Sequence, residues 1–222
     1  MNIATRKLVA KELYVNRWMI AGTAAATALA AFACTFGATA FNVGALAWIT
    51  AVIACGVMLA IYGVAHERKE QSLQFVLSLP ISIRQYVFAK TAGLLLSYLL
   101  PWLVATASAV VLVLASPDVP DGLLPYVAVL SGFLLANFSV VLCGALHARS
   151  EAAVVALIIL TNMAVSVFMF VVGALPGIRD HLSGPVPVWN ATILNVLLVE
   201  FLVLAIAVTL PLATAARRRD FI

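Results

Sequence analysis

Long, unbroken runs of apolar residues, separated by short polar segments, make up most of the chain. Six such runs predict membrane-spanning helices, at about 18–37, 46–65, 86–115, 123–146, 152–175 and 191–216. The runs are continuous rather than alternating, which favours helices over a membrane β-barrel, and each reaches the roughly 20 residues that a helical span requires. Proline- and glycine-rich segments at 116–122 and 176–190 are typical of turns between spans.

The composition supports this interpretation. Of the 222 residues, 64% are hydrophobic and 10% are charged, and the mean hydropathy is +1.12. A soluble domain is about 45–50% apolar and about 25% charged, so a soluble enzyme or a soluble nucleic-acid-binding domain is excluded. We therefore predict an all-α integral membrane protein. Its single transmembrane domain would cover 1–222, with 1–17 at the interface, spans within 18–65 and 86–216, and a cytoplasmic tail at 217–222.

Basic residues are distributed very unevenly among the connections. Four of the 13 lysines and arginines precede the first run, and four lie between the end of the second run and the start of the third, where Lys90 falls just inside it. One follows the fourth run, and three stand in the tail. The opposite side of the membrane keeps only Arg179. Since short cytoplasmic loops are enriched in lysine and arginine, we expect six spans with both termini in the cytoplasm.

The first 17 residues combine basic side chains with an apolar edge. Leu8, Val9, Leu13 and Tyr14 form that edge, which predicts an amphipathic helix at the cytoplasmic interface of the membrane. A frayed basic tail is the alternative. A cleaved signal peptide is disfavoured, because the leading segment is long and contains Glu12.

Residues 66–85, between the second and third runs, mix charged and apolar positions in an order compatible with a helix. Leu73, Val76 and Leu77 would share one helical face, and Pro80 would end the helix. Such a cytoplasmic helix either lies on lipid or docks to another protein. From these residues alone, a simple interfacial turn is an equal alternative.

The stretch from Glu67 to Lys90, which reads ERKEQSLQFVLSLPISIRQYVFAK, resembles the cytoplasmic loop of type-2 ABC transporter permeases. The basic leading segment, the six spans and the Pro/Gly loop before the last span extend the resemblance to essentially the whole chain. Gln71 departs from it, since the family usually has glycine there. The resemblance implies that the loop is a coupling helix that contacts a separate ATP-binding subunit. The residues that it assigns to this contact are Glu67, Arg68, Glu70, Leu73, Phe75, Val76, Leu77, Leu79, Pro80 and Arg84.

The resemblance also implies a division of labour between subunits. Two six-span permeases would pair around a shared path, so the expected partners are a second permease copy or paralogue, two ATP-binding cassette subunits and the lipid bilayer, but no nucleic acid. The sequence has no Gly-Lys pair and so lacks the phosphate-binding P-loop. ATP and Mg²⁺ are therefore expected on the partner ATPase, with no cofactor or metal on this chain. The expected location is the cell membrane, in particular a bacterial inner membrane.

A few polar residues inside the apolar runs are candidates for a translocation path. Glu200 is the only acid inside a run, where a charged side chain costs about 2.5–3.5 kcal/mol. Contact with a cation, proton or substrate and a purely structural role are both open for it. Asn195 lies on the same run and Asn137 on the fourth, while Asn162 and Ser166 share a face of the fifth. For these four residues, helix packing is the alternative.

No catalytic residue is predicted. The sequence contains neither an H-E-x-x-H nor a G-x-S-x-G motif. The predicted function is that of a permease subunit of an ATP-driven exporter, which works by alternating access and is not an enzyme by itself. A non-transporting membrane anchor in a protein complex is the alternative, and an intramembrane enzyme is less favoured.

Overall fold

The computed structural model describes residues 3–66, 82–148 and 150–215, and these ranges are helical apart from short connections. The predicted all-α class is confirmed for them. A π-helical turn, Ile61–His66, continues the helix Ala38–Ala60, and a 3₁₀ turn, Asp121–Leu123, leads into the helix Leu124–His147. The helices are α1 (Ile3–Val15), α2 (Arg17–Ala33), α3 (Ala38–Ala60), α4 (Ile83–Ala115), α5 (Leu124–His147), α6 (Glu151–Ala174), α7 (Pro176–Arg179) and α8 (Ala191–Thr214).

Five helices in the described ranges are long and apolar enough to cross a membrane. They are α3 with its π-helical turn, α4, α5 with its 3₁₀ turn, α6 and α8. Helix α2 occupies the first predicted run but has 17 residues. At 1.5 Å per residue it is about 26 Å long, slightly short of a hydrocarbon core of about 30 Å. The difference between five candidate spans and the predicted six therefore depends on α2.

The connection between α2 and α3 differs from the predicted one. The second predicted run begins at about residue 46, whereas the helix that contains it begins about two turns earlier, at Ala38. Gly37 makes the turn with φ of +100°, a conformation that favours glycine. A Cβ atom at Gly44 would lie 2.6 Å from Cys34 Sγ and 2.7 Å from the Ala30 carbonyl oxygen. The missing side chain lets α3 start directly against the end of α2.

The main core lies among α3, α4 and α5, where large aromatic side chains are buried. Tyr98 stacks on Phe138 with ring centroids 4.0 Å apart, and its hydroxyl donates to the Leu134 carbonyl at 3.2 Å. The indole nitrogen of Trp48 donates to the Ala105 carbonyl at 3.0 Å. These bonds satisfy the polar ends of rings that are otherwise packed among apolar side chains.

Helix α5 is central to the bundle. It packs against α3, α4, α6 and α8, while α1 packs against α4. At the end of α5, His147 Nε2 lies 2.9 Å from the Thr214 hydroxyl at the end of α8. The ends of α5 and α8 are thereby linked on the side of the bundle where α4 begins.

Candidate functional site

Most of the predicted ATPase-docking segment lies outside the described residues. Of the residues assigned to it, the structure describes Arg84, which is exposed in the first turn of α4. That helix begins with a reciprocal cap: Gln85 N donates to Ser82 Oγ at 3.2 Å, and Ser82 N donates to Gln85 Oε1 at 3.0 Å. The cap fixes residue 83 as the start of α4. The assigned residues outside the described ranges are Glu67, Arg68, Glu70, Leu73, Phe75, Val76, Leu77, Leu79 and Pro80.

Glu200 lies where α8 packs against α5. Its side chain is buried, with 6% of the residue exposed, and Gly132 of α5 faces its carboxyl group. A Cβ atom on Gly132 would meet Glu200 Oε2, so the missing side chain lets the carboxyl approach α5 closely in this position. Neither carboxyl oxygen has a hydrogen-bond partner within the part of the chain that the structure describes. Glu200 is therefore a buried carboxyl group to which the described residues donate no hydrogen bond.

The carboxyl group borders an open cavity of about 540 Å³ that is lined by α5, α6 and α8. Helices α6 and α8 both pack on α5, and the cavity lies between them. Val199 and Val203, on the α8 wall, are 58% and 39% exposed, so the cavity opens at the surface of the subunit. The residues that line it are Phe133, Ala136, Asn137, Val140, Thr161, Ala164, Phe168, Val172, Asn195, Val196, Val199, Glu200 and Val203.

The lining is mostly apolar and carries a few polar groups. Phe133 and Phe168 stack across the wall with ring centroids 3.8 Å apart and an interplanar angle of 12°. The Thr161 hydroxyl donates to the Leu157 carbonyl at 2.9 Å, which leaves its own oxygen able to accept a bond from the cavity. Among the described lining residues, Glu200 is the only titratable one.

The structure brings together three of the five residues predicted for a translocation path. Glu200, Asn195 and Asn137 line the cavity. Asn162 lines a second, much smaller pocket that it shares with Asn137, while Ser166 is exposed and borders neither space. That these residues line a translocation path stays a prediction.

A buried ion pair joins α1 to α4, and the sequence pattern did not predict it. Lys90 Nζ lies 2.9 Å from Glu12 Oε1, and the two residues are 3% and 6% exposed. A Cβ atom at Gly93 would lie 2.7 Å from Glu12 Cγ, so the two helices approach closely beside the pair. One signal was present: Glu12 is the only acid among the first 17 residues, and Lys90 is the only charged residue in the third apolar run.

The ion pair changes the orientation expected for α1. The leading segment forms a helix, as predicted. The buried residues of this helix are Thr5 and Glu12, and the helix packs on α4. Leu8 and Leu13, of the predicted apolar edge, are half-buried, while Tyr14 is 65% exposed. A protein contact, in addition to any contact with lipid, therefore determines how this helix is turned.

Long apolar helices packed around α5 define a multi-pass membrane protein. The model of a family described as ABC-2 family transporter protein matches residues 7–214, and the chain belongs to this family. The resemblance found in the sequence is thus confirmed. Membership indicates a permease subunit of an ABC transporter, a transport subunit that is generally not catalytic itself. No curated protein and no solved structure matches the chain at a significant level.

Proposed function

We propose that the chain is the membrane-spanning permease subunit of an ATP-driven exporter, and that a separate ATP-binding subunit hydrolyses ATP with Mg²⁺ on its behalf. The family match over residues 7–214 carries this proposal. The coupling-helix pattern between Glu67 and Lys90 adds the site at which the ATPase would dock. Two copies of the ATPase would serve a pair of permeases, each with six spans and with both termini in the cytoplasm.

The packing of α4 supports a route from the docking segment to the cavity. The segment leads directly into α4 at the Ser82 cap, and α4 packs against α1, α2, α3 and α5. Helix α5 in turn forms one wall of the cavity and receives Glu200 at Gly132. A displacement of the segment would therefore reach the cavity through two packed helices. ATP binding drives such a change only if the ATPase contacts the two states of the permease differently.

The opening of the cavity supports pairing of two permeases. Large apolar side chains, including Phe170 on α6 and Phe201 on α8, are 78% and 64% exposed on the two helices that flank the cavity. Apolar residues on these helices are compatible with lipid, but an open cavity between them needs a further wall to become a path. A second copy of the chain, or a paralogue, would supply that wall.

The proposal is tested by purifying the full-length tagged chain from membranes in mild detergent. We expect a P-loop-containing subunit to co-purify, and the complex to hydrolyse ATP in a substrate-responsive manner. Untagged membranes processed in parallel give the background. A chain that brings down partners without any P-loop protein would instead be a membrane anchor, and turnover of a substrate by the chain alone would make it an enzyme.

The six-span topology predicts that both termini lie on the same side of the membrane. In this topology α2 crosses the membrane despite its 17 residues, and the chain has an even number of spans. Reporter fusions at residue 1 and residue 222 should therefore both read cytoplasmic. A fusion at Asp118 is the internal control, since three long helices separate it from residue 222 and it should read the opposite side. Opposite readings from the two termini would leave five spans, with α2 not crossing.

A further inference from the structure

We propose that the cavity between α5, α6 and α8 binds a hydrophobic cation, and that Glu200 provides the opposite charge. This inference rests on the proposed function, since it names the class of molecule that the permease would carry. It also goes beyond that function, because family membership says nothing about the substrate.

The first argument is the state of the Glu200 carboxyl group. A buried structural carboxyl is normally hydrogen-bonded, because leaving such a group without partners is costly. Both oxygens of Glu200 lack a partner among the described residues, although the residue is 94% buried from solvent. Gly132 preserves the space beside the carboxyl, since a Cβ atom there would displace the end of the Glu200 side chain. The geometry thus keeps an acceptor group at the cavity wall, and none of the described residues is hydrogen-bonded to it.

The second argument is the chemistry of the remaining wall. Most lining residues are valine, alanine or phenylalanine, which favour a ligand with a large apolar body. The cavity volume of about 540 Å³ lies within the range of about 300–1,000 Å³ typical of small-molecule sites. Phe133 and Phe168 add aromatic surface to this apolar wall.

The third argument is the sign of the charge. The described lining contains no lysine, arginine or histidine, so an anionic ligand would find no opposite charge there. Asn137, Asn195 and Thr161 add oxygen acceptors that suit a ligand with N–H donors. A cation placed at Glu200 would supply the partner that the carboxyl lacks among the described residues. The apolar groups of this cation would replace lipid or water along the valine-rich wall.

The experiment measures binding to the full chain in lipid nanodiscs with two probes of nearly the same shape and opposite charge, tetraphenylphosphonium and tetraphenylborate. Empty nanodiscs correct for partition into lipid. We expect saturable binding of the phosphonium ion and none of the borate. Glu200→Gln keeps the shape and removes the charge, so it should weaken phosphonium binding at least about tenfold. The matched control Glu151→Gln makes the same change at an exposed position outside the cavity, and should bind like the unmodified chain.

Labelling of the unmodified chain covers the case in which Glu200→Gln fails to fold. Dicyclohexylcarbodiimide reacts with carboxyl groups in apolar surroundings, and mass spectrometry locates the modified residue. We expect modification of Glu200, protection by tetraphenylphosphonium and no protection by tetraphenylborate. Glu12, which is buried but paired with Lys90, provides an internal comparison that the phosphonium ion should not affect.

Three results would overturn the inference: equal binding by Glu200→Gln, equal saturable binding of the borate, or no saturable binding of the phosphonium ion. None of these measurements needs the ATPase. A chain that co-purifies with an ATPase but fails the binding test keeps its proposed function and loses only the cationic substrate. A chain that passes the binding test without an ATPase would be a cation-binding membrane protein outside an ABC complex.

Discussion

Replacing Leu77 by Asp should release the ATP-binding subunit from the chain without unfolding the permease. Leu77 belongs to the apolar face that Leu73 and Val76 share in the predicted coupling helix. If this face is buried against the ATPase, a carboxylate placed there loses its water without gaining a partner. A central position in an interface costs about 2 kcal/mol or more when it is disrupted, which corresponds to about 30-fold weaker binding. Leu73→Asp should have the same effect.

The measurement compares the amount of ATPase that co-purifies with each tagged variant, together with its ATP hydrolysis. Gln71→Asp is the matched control, because it adds the same charge away from the Leu73–Leu77 face of the predicted helix. It should retain the ATPase. Size-exclusion profiles of the permease should be alike for the unmodified chain and for all three variants. An ATPase complex that survives Leu77→Asp unchanged would show that the apolar face points to lipid instead.

The long helices follow from the sequence because each apolar run is bounded by residues that end helices or turn the chain. Helices α5, α6 and α8 begin at or within one residue of the predicted positions 123, 152 and 191. Ser150 and Asn190 cap α6 and α8 with side-chain hydrogen bonds, which are local interactions that a sequence displays directly. The helix ends that depend on such local interactions could therefore be predicted from the sequence.

The start of α3 could not be predicted from the sequence in the same way. Its first turns contain Thr39 and Asn42, which are compatible with a loop as well as with a helix. What decides between the two is the close packing of Gly44 on Cys34, a contact between helices. Local patterns do not report such contacts, so tertiary packing overrode the local preference here.

The candidate site shows the same division. Glu200 was found because a single acid in an apolar run is costly wherever it lies. The position of Glu200 against Gly132 could not be predicted. Helical periodicity shows which residues of one helix share a face, but it does not show which faces of different helices pack together. Asn162 and Ser166 illustrate this limit: they are four residues apart in α6, yet Asn162 borders a pocket and Ser166 is exposed outside both. The Glu12–Lys90 pair joins residues 78 positions apart and depends on packing alone.

Breaking that pair from the Lys90 side should destabilise the protein strongly. Lys90→Met roughly keeps the length of the side chain and removes its charge, so the Glu12 carboxylate stays buried beside Gly93 and loses its nearest, buried cation. Removing one partner of a buried ion pair typically costs about 3–5 kcal/mol. For a chain of this length, that corresponds to a fall of roughly 6–20 °C in the apparent melting temperature. The measurement is thermal unfolding in detergent, followed by the loss of monodisperse protein.

Lys11 offers a matched control on the same carboxylate. Its Nζ lies 3.8 Å from Glu12 Oε1, but 47% of its side chain is exposed, so water screens the interaction. Lys11→Met should therefore cost at most about 1 kcal/mol. Equal losses for Lys90→Met and Lys11→Met would contradict a specific buried pair and would indicate only a general effect of basic charge near Glu12.

The double variant Glu12→Gln/Lys90→Met separates the ion pair from simple packing. Once the carboxylate is neutral, the loss of Lys90 no longer leaves a buried charge, because replacing both partners of a buried pair is often nearly neutral. The double variant should be more stable than Lys90→Met, with a coupling energy of about 0.5–3 kcal/mol between the two positions. Strictly additive losses would mean that Glu12 and Lys90 stabilise the protein independently. A positive coupling would identify the pair as the interaction that holds α1 to α4, the helix that directly follows the predicted docking segment.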